Sequence, residues 1–361
     1  MIRGACPGAL RPMMSGDGLL ARVRPRLGRL SATQARGIAE AALRHASGDL
    51  DLTRRANLQI RAVRDHGALL ADLDALGLVD PDPAAETRRN LLVEPTRHPD
   101  SLRIAREIED GLAMLPDLPP KFGFAVDCGA APMLGEAPAD VRIERTAKGF
   151  AVRADGLPTG RPASPHGAPL MALALARLFA RLRGPHRRMS AFAATGRLPV
   201  GHEGAVPLPP IAPLAPGMHA DGAVVGAPFG AIRAETLLEA LERSGAVGIR
   251  LTPWRLMLLE DGGMPGLPDL CEAPDPRLSA HACPGAPRCA SASVETRALA
   301  AALAPRHPGL HVSGCAKGCA HSGSAPITFV GRSGLYDLVR GGRASDAPER
   351  AGLTAEEALR A

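Results

Sequence analysis

Apolar positions in this chain follow two periods in a fixed order, and the order occurs twice. From 18 to 63 there is a short apolar run, a Gly turn, apolar residues at helical spacing, a Gly stop and an alternating run; from 222 to 262 the same succession returns. A spacing near 3.6 predicts a helix and a spacing of two predicts a strand. Ser31 with Gln34 forms an S-x-x-Q capping box for the first helix, and Gly48 stops it. In the second copy Leu237, Leu238 and Leu241 mark the apolar helical face, which ends at Gly245. Each copy then starts a strand with Thr and Arg: Thr53-Arg54-Arg55 answers Thr252-Pro253-Trp254-Arg255. Self-similarity of this kind predicts a duplicated chain with two pseudo-symmetric halves.

A different segment follows each copy, and both read as mixed α/β modules with short strands. The expected layout is a half-domain at 1–70, a module at 78–197, a Pro-rich linker at 198–217, a second half-domain at 218–264 and a second module at 270–345. From about 345 the chain is polar, and a short terminal helix or a loose tail is expected. The fold class is α+β with a pseudo-two-fold axis.

Composition narrows the function. With 361 residues, 45% hydrophobic and 22% charged, the chain can bury a sizeable core. Aromatic content is only 2%, and Trp254 and Tyr336 are each the only one of their kind. Lys121, Lys148 and Lys317 are the only lysines, so the net charge of +6 is carried by Arg. In a chain this rich in Arg, a lone Arg carries little information. Nucleic-acid binding is not expected, because aromatic stacking platforms are missing. A polyanionic small molecule suits Arg forks better. No apolar run is long enough for a membrane helix, and the first residues lack the apolar core of a signal peptide. A cytoplasmic protein is the expectation.

Seven cysteines in such a chain favour metal binding over a disulfide framework. Four fall in two pairs: Cys283-x5-Cys289 in HACPGAPRC, and Cys315-x3-Cys319 in SGCAKGCAH. Two loops held apart by a helix predicted at 294–303 and a strand at 310–312 suit a 4Fe–4S cluster, which needs thiolates from different directions. On a helical turn, Cys315 and Cys319 would face one way. Structural zinc is the rival, although its usual x2 to x4 spacings fit poorly; disulfides and coincidence are the others. Cys6, Cys128 and Cys271 have no partner at ligand spacing and read as small buried hydrophobes. His281 and His321 flank cluster cysteines and read as neighbours or surface groups rather than ligands.

A strand predicted at 52–63 would place Arg55, Asn57, Gln59 and Arg61 on one face. A solvated sheet face is the plain alternative, but the second copy offers Arg255 at the corresponding place. Arg88-Arg89-Asn90 and Lys121, in Pro119-Pro120-Lys121-Phe122, are further cationic candidates.

These features together resemble the nitrite and sulfite reductase family: the x5 and x3 cysteine spacings, the duplicated halves, the Thr-Arg-x-x-x-x-Gln strand and the Lys-Phe motif. The likeness runs from about residue 3 to 345. ACPGALRPMMSGDGLLARVR, LPPKFGFAVDCG and HVSGCAKGCAHSGSAPITFVG match best the branch that oxidises a tetrapyrrole, precorrin-3A, in aerobic cobalamin biosynthesis. The resemblance implies ferredoxin-like half-domains and a 4Fe–4S cluster on Cys283, Cys289, Cys315 and Cys319. It places Arg55, Asn57, Gln59, Arg89, Asn90 and Arg255, with Lys121, around a tetrapyrrole-sized cavity abutted by Cys319. It further implies O2-dependent hydroxylation at C20, a γ-lactone, a donor linked to NAD(P)H and a mononuclear non-haem iron for which no ligands are visible. Sulfite reductases carry a second lysine two residues after the Lys-Phe lysine; here Gly123 stands there. That departure weighs against the two rival readings' leader, a sirohaem-dependent nitrite or sulfite reductase. The other rival is a non-catalytic tetrapyrrole or cluster carrier.

Overall fold

The computed structural model describes residues 7–198, 201 and 204–361, so Cys6 lies outside the described residues. The first half runs β1 (Met13–Ser15), β2 (Gly18–Val23), β3 (Arg29–Ser31), α1 (Ala32–His45), β4 (Asp49–Leu52), β5 (Leu58–Val63) and α2 (His66–Ala75). A first α/β module follows with α3 (Pro83–Arg88), β6 (Leu91–Val93), α4 (Pro99–Gly111), β7 (Phe124–Asp127), β8 (Val141–Thr146), β9 (Gly149–Ala154), β10 (Arg161–Ala163), α5 (Gly167–Leu182) and α6 (Met189–Ala193). The second half holds β11 (Gly217–His219), β12 (Gly222–Gly226), β13 (Ala231–Arg233), α7 (Ala234–Ser244), β14 (Gly248–Leu251) and β15 (Leu256–Glu260). The last module holds β16 (His281–Ala282), α8 (Arg297–Leu303), β17 (His311–Ser313), β18 (Ala325–Arg332), β19 (Leu335–Gly342), β20 (Arg350–Leu353) and α9 (Ala355–Arg360).

Local chemistry sets the helix ends. The Ser31 hydroxyl accepts from the Gln34 N–H, and the Gln34 side chain accepts from the Ser31 N–H, closing the anticipated box. Gly245 ends α7 at φ 65°, a conformation that glycine adopts without a Cβ penalty.

The halves are not separate bodies. One sheet has the order β1-β2-β5-β4-β13 and the other β11-β12-β15-β14-β3, so each half lends a strand to its partner. β13 pairs with β4 (Ile232 opposite Leu50), and β3 pairs with β14 (Leu30 opposite Ile249). Leu27 (φ 52°) and Phe229 (φ 61°) make the same left-handed kink before each lent strand. The shared core includes Ile38, Leu50, Leu58 and Ile60 from one half and Leu237, Ile249 and Leu259 from the other. Each fully buried aliphatic side chain contributes roughly 1.5–3 kcal/mol, so the exchange is held by apolar burial as well as by the ladders.

The predicted strand at 52–63 is interrupted. Residues between β4 and β5 form a turn in which Thr53 Oγ1 accepts from the Arg55 and Asn57 N–H groups at 3.3 and 3.1 Å. Thr252 Oγ1 does the same for Trp254 and Leu256 at 3.3 and 3.2 Å. Ala56 (φ 51°) and Arg255 (φ 64°) occupy the same left-handed position. Arg255 therefore corresponds to Ala56, and the counterpart of Arg55 is Trp254, which corrects the expected pairing of the arginines.

The two modules share one topology: β10-β9-β8-β7-β6 and β16-β17-β18-β19-β20, with three strands parallel and the outer two antiparallel. The last sheet continues beyond 345, because β20 and α9 place Leu353 and Ala358 in its core. The Pro-rich stretch lies along the first module: Leu208 N–H donates to the Arg145 carbonyl and Ile211 N–H to that of Pro132, each at 2.8 Å. Among the described residues no helix is long and apolar enough to cross a membrane.

Candidate functional site

The four spaced cysteines meet at the C-terminal ends of β16 and β17. Cys283 follows β16 and is buried; Cys289 and Cys315 are half-buried and Cys319 is exposed. The Cys283 sulfur accepts from the Gly314 N–H at 3.2 Å, tying the first cysteine loop to the second. Backbone N–H groups aimed at sulfur stabilise a thiolate. Burial pushes the Cys319 thiol upward, and nearby Cys315 and Cys283, then Cys289, push it further while Lys317 opposes them. The four sulfurs are thus electrostatic neighbours. The tip of the β1–β2 hairpin closes one side: Ala290 N–H donates to the Gly16 carbonyl at 2.8 Å, and a Cβ on Gly16 would stand 2.3 Å from the Cys289 sulfur. Cys315 and Cys319 lie in turns, with Gly318 at φ 60°, rather than on a helix. Among the described residues no three His, Cys, Asp or Glu are placed to hold a single metal ion. A zinc site gathers its donors about 2.0–2.3 Å from one point. Four thiols on two loops, joined where the Cys283 sulfur meets the Gly314 N–H, suit a 4Fe–4S cluster better.

Ion pairs fasten this module to the first half. Asp49 on β4 binds Arg233 at 3.1 Å and Arg288, in the first cysteine loop, at 3.2 Å. Asp51 binds Arg61 at 2.6 Å and Arg297 at 3.7 Å. Arg61 also binds Asp17 at 2.6 Å; burial opposes its charge, but Asp51 and Asp17 raise its pKa overall. It is a buried cross-link and leaves the anticipated basic face.

Arg255 also turns inward. It donates to the Leu278 and Ala280 carbonyls and to His281 Nδ1. Burial, then Arg54, lowers its pKa to about 10. His281 stacks on His321 with ring centroids 4.3 Å apart, and His311 stands edge-on to both. Burial, then Arg255, lowers His281 to about 3, and burial lowers His311 to about 4. Both ring nitrogens of His311 are buried without a hydrogen-bond partner among the described residues. The His281 and His311 rings are therefore neutral at physiological pH.

The remaining predicted residues divide. Arg89 is buried and held by Asp80 at 3.0 and 2.7 Å, so it anchors the protein rather than facing a cavity. Asn57 is buried, and its peptide closes the Thr53 turn. Gln59 lies on β5 beside Arg22, whose guanidinium its amide oxygen accepts from once the amide is turned end for end. Arg55, Asn90 and Lys121 do converge, around the 119–123 loop. Asn90 Nδ2 donates to the Pro120 and Phe122 carbonyls at 3.0 and 3.1 Å, while Arg55 donates to the Lys121 carbonyl at 3.1 Å. Lys121 is exposed at the loop's apex. A Cβ on Gly123 would meet the Asn90 carbonyl oxygen at 2.8 Å and the Asn90 Cβ at 3.1 Å. Packing therefore excludes a side chain, and with it a second lysine, at 123. A cavity of about 510 Å³ beside the first cysteine loop is lined by Asp49, Arg233, Arg277, Arg288 and Arg297 among others, and by none of these seven residues.

Sequence reasoning missed Arg188 and Asp140, which also grip the Lys121 loop, and His311. Arg188 is one Arg among many, and a buried Asp or His has no local signature.

A model of the nitrite/sulfite reductase ferredoxin-like half domain matches residues 11–76. The chain superposes on the structure of Mycobacterium tuberculosis NirA protein with a TM-score of 0.63 at 20% identity, covering 94% of this chain and 78% of that one, which shows the fold. It is 31% identical to a precorrin-3B synthase of Sinorhizobium sp over 398 aligned positions, 96% of this chain and 85% of that protein. An identity of that depth along nearly the whole length, on a reductase-type fold, means that the chain belongs to the precorrin-3B synthase family of oxidoreductases.

Proposed function

We propose that the chain is a monooxygenase of cobalamin biosynthesis that hydroxylates precorrin-3A at C20 and closes its ring A acetate into a γ-lactone. One atom of O2 enters the substrate and the other leaves as water, with two electrons and two protons drawn from a donor linked to NAD(P)H. A 4Fe–4S cluster on Cys283, Cys289, Cys315 and Cys319 would supply those electrons singly. The chain's own residues bind and orient. Lys121 presents an ammonium to a substrate carboxylate, and Arg55 adds a guanidinium fork beside it. Arg89, Asn90 and Arg255 hold the walls rather than the guest.

Family membership supports the reaction class, and one packing feature favours it over reduction of a small oxyanion. Reducing nitrite or sulfite places growing negative charge at one small centre, which calls for clustered cations. Gly123 leaves no room for the second one.

The test is to load the full chain with its cluster under anaerobic conditions and add precorrin-3A, reductant and O2. The proposal expects conversion with incorporation of one oxygen atom. Sirohaem absorption bands with turnover of nitrite or sulfite would support the reductase reading instead. Tight binding of the tetrapyrrole with no mass gain would support a carrier.

A further inference from the structure

We propose that Arg188 and Asp140 are positioning residues that set the direction of the Lys121 ammonium. This rests on the reading of Lys121 as a substrate contact.

Every carbonyl of the turn carrying Lys121 is capped. Phe122 N–H donates to the Pro119 carbonyl at 2.8 Å, and Asn90 takes the carbonyls of Pro120 and Phe122. The Lys121 carbonyl accepts from two guanidinium groups, Arg188 at 3.0 Å and Arg55 at 3.1 Å. Arg188 is fixed in turn by the Ala139 carbonyl at 2.9 Å and by Asp140 at 3.1 Å. Asp140 is fully buried; its carboxylate accepts from the Gly123 N–H at 3.0 Å and the Met189 N–H at 2.8 Å. The Asp140 N–H returns a 2.7 Å bond to the Gly123 carbonyl. Behind the turn, the Phe122 ring stacks on Phe179 with centroids 5.0 Å apart.

So many partners on one five-residue turn exceed what a surface loop needs. Charge-assisted bonds of this kind are the stronger sort, and two arginines on one carbonyl cost two long side chains their rotamer freedom. The turn's outward chemistry is the Lys121 side chain, which enters no ion pair among the described residues. Fixing its Cα removes motion that substrate would otherwise have to arrest, and preorganisation of this kind is read as affinity. Asp140 and Arg188 act through Lys121 and touch no substrate themselves.

The experiment has two arms on the cluster-loaded full chain. The first follows amide hydrogen exchange of the 119–124 segment in Arg188→Gln and, as further variants, in Arg188→Lys and in Asp140→Asn. Exchange there is expected to rise about tenfold or more while distant segments keep wild-type rates. The second arm compares KM and kcat for precorrin-3A in Lys121→Ala, Arg188→Gln and the double variant. Lys121→Ala and Arg188→Gln should each raise KM roughly five- to tenfold with kcat nearly kept, and the double variant should be no worse than Lys121→Ala alone. Additive losses, or unchanged exchange in the segment, would overturn the positioning role. Faster exchange with a KM untouched by Lys121→Ala would overturn the substrate contact on which the inference depends.

Discussion

The two α/β modules have the same five-strand order and the same strand directions, yet their strand ends carry opposite chemistry. In the first, β6 ends at Val93 opposite Val126, and Glu94-Pro95 follows. In the second, β16 ends at Ala282 opposite Val312, and Cys283-Pro284 follows. Glu94 thus stands where the other module has its first cysteine, and Asp127 stands where the other has Ser313. Both sets lie at the carboxyl ends of parallel strands, where α/β sheets build their sites. Topology supplies the ledge; the residue types decide what sits on it.

The carboxylate version is internal. Glu94 and Asp127 are buried, each with one oxygen lacking a partner among the described residues. Burial pushes Asp127 up to about 7 against the Leu134 and Met133 N–H groups, and Glu144 and Glu94 add to the rise. Burial likewise raises Glu94, opposed by Thr96, Ser101 and His98. Phe122, Phe124, Phe150, Phe179 and Phe192 fill this module's core. The last module has Phe329 and a smaller set of aliphatics, and closes its strand ends with thiols instead.

The sharpest way to break the comparison is to swap its chemistry. Cys319→Ser should abolish the cluster and oxygenation together, read as loss of bound iron and sulfide; Cys128→Ser, in the first module, should leave both intact. An intact cluster in Cys319→Ser would remove that residue from the ligand set.

Next in size is a pH effect. The folded pKa of Asp127, about 7, exceeds its ordinary 3.8, so the native state holds the extra proton between these values. Stability from this group is present at low pH and lost as pH rises through 7, by an amount of the order of 4 kcal/mol. Asp127→Asn should flatten the fall in unfolding free energy between about pH 4 and 7, measured with denaturant. An unaltered slope would show that the carboxylate is ionised throughout.

Gly123→Lys tests the wall between this chain and a reductase. The new Cβ must displace Asn90, costing roughly 1–3 kcal/mol in thermal or denaturant unfolding. A variant as stable as wild type would mean that the position is open to a second cation. The smallest effect is expected from Gly16→Ala, whose methyl group crowds Cys289. Iron release to a chelator should be a few-fold faster with the fold unchanged, consistent with about 1 kcal/mol of crowding; wild-type release would place the hairpin away from the cluster.

Much of this was legible before any coordinates. The repeat, the Ser31 box and the Gly245 stop are local signals, and local signals survive folding. The cysteine loops were legible because their spacing is itself the constraint. The exchange of β3 and β13 was not, since three-residue strands pair with partners some two hundred residues away and leave no trace in their own pattern. The basic face failed for a physical reason. Charged residues on adjacent strands choose partners in space, and Arg61 and Arg89 found Asp51, Asp17 and Asp80. Arg255 was misread because arginine was matched to arginine: the two turns are the same length, and counted from Thr53 and Thr252 the residue answering Arg255 is Ala56.

The central claim is that four cysteines hold an electron-relaying cluster beside a tetrapyrrole that is oxidised by O2. The most direct measurement is turnover of precorrin-3A under 18O2 by the iron-quantified full chain, with the product weighed by mass spectrometry. The account predicts a single 18O in the product and at least four iron atoms per chain, any excess counting a further mononuclear site. A product without 18O, or activity that persists in a chain stripped of its cluster, would contradict it.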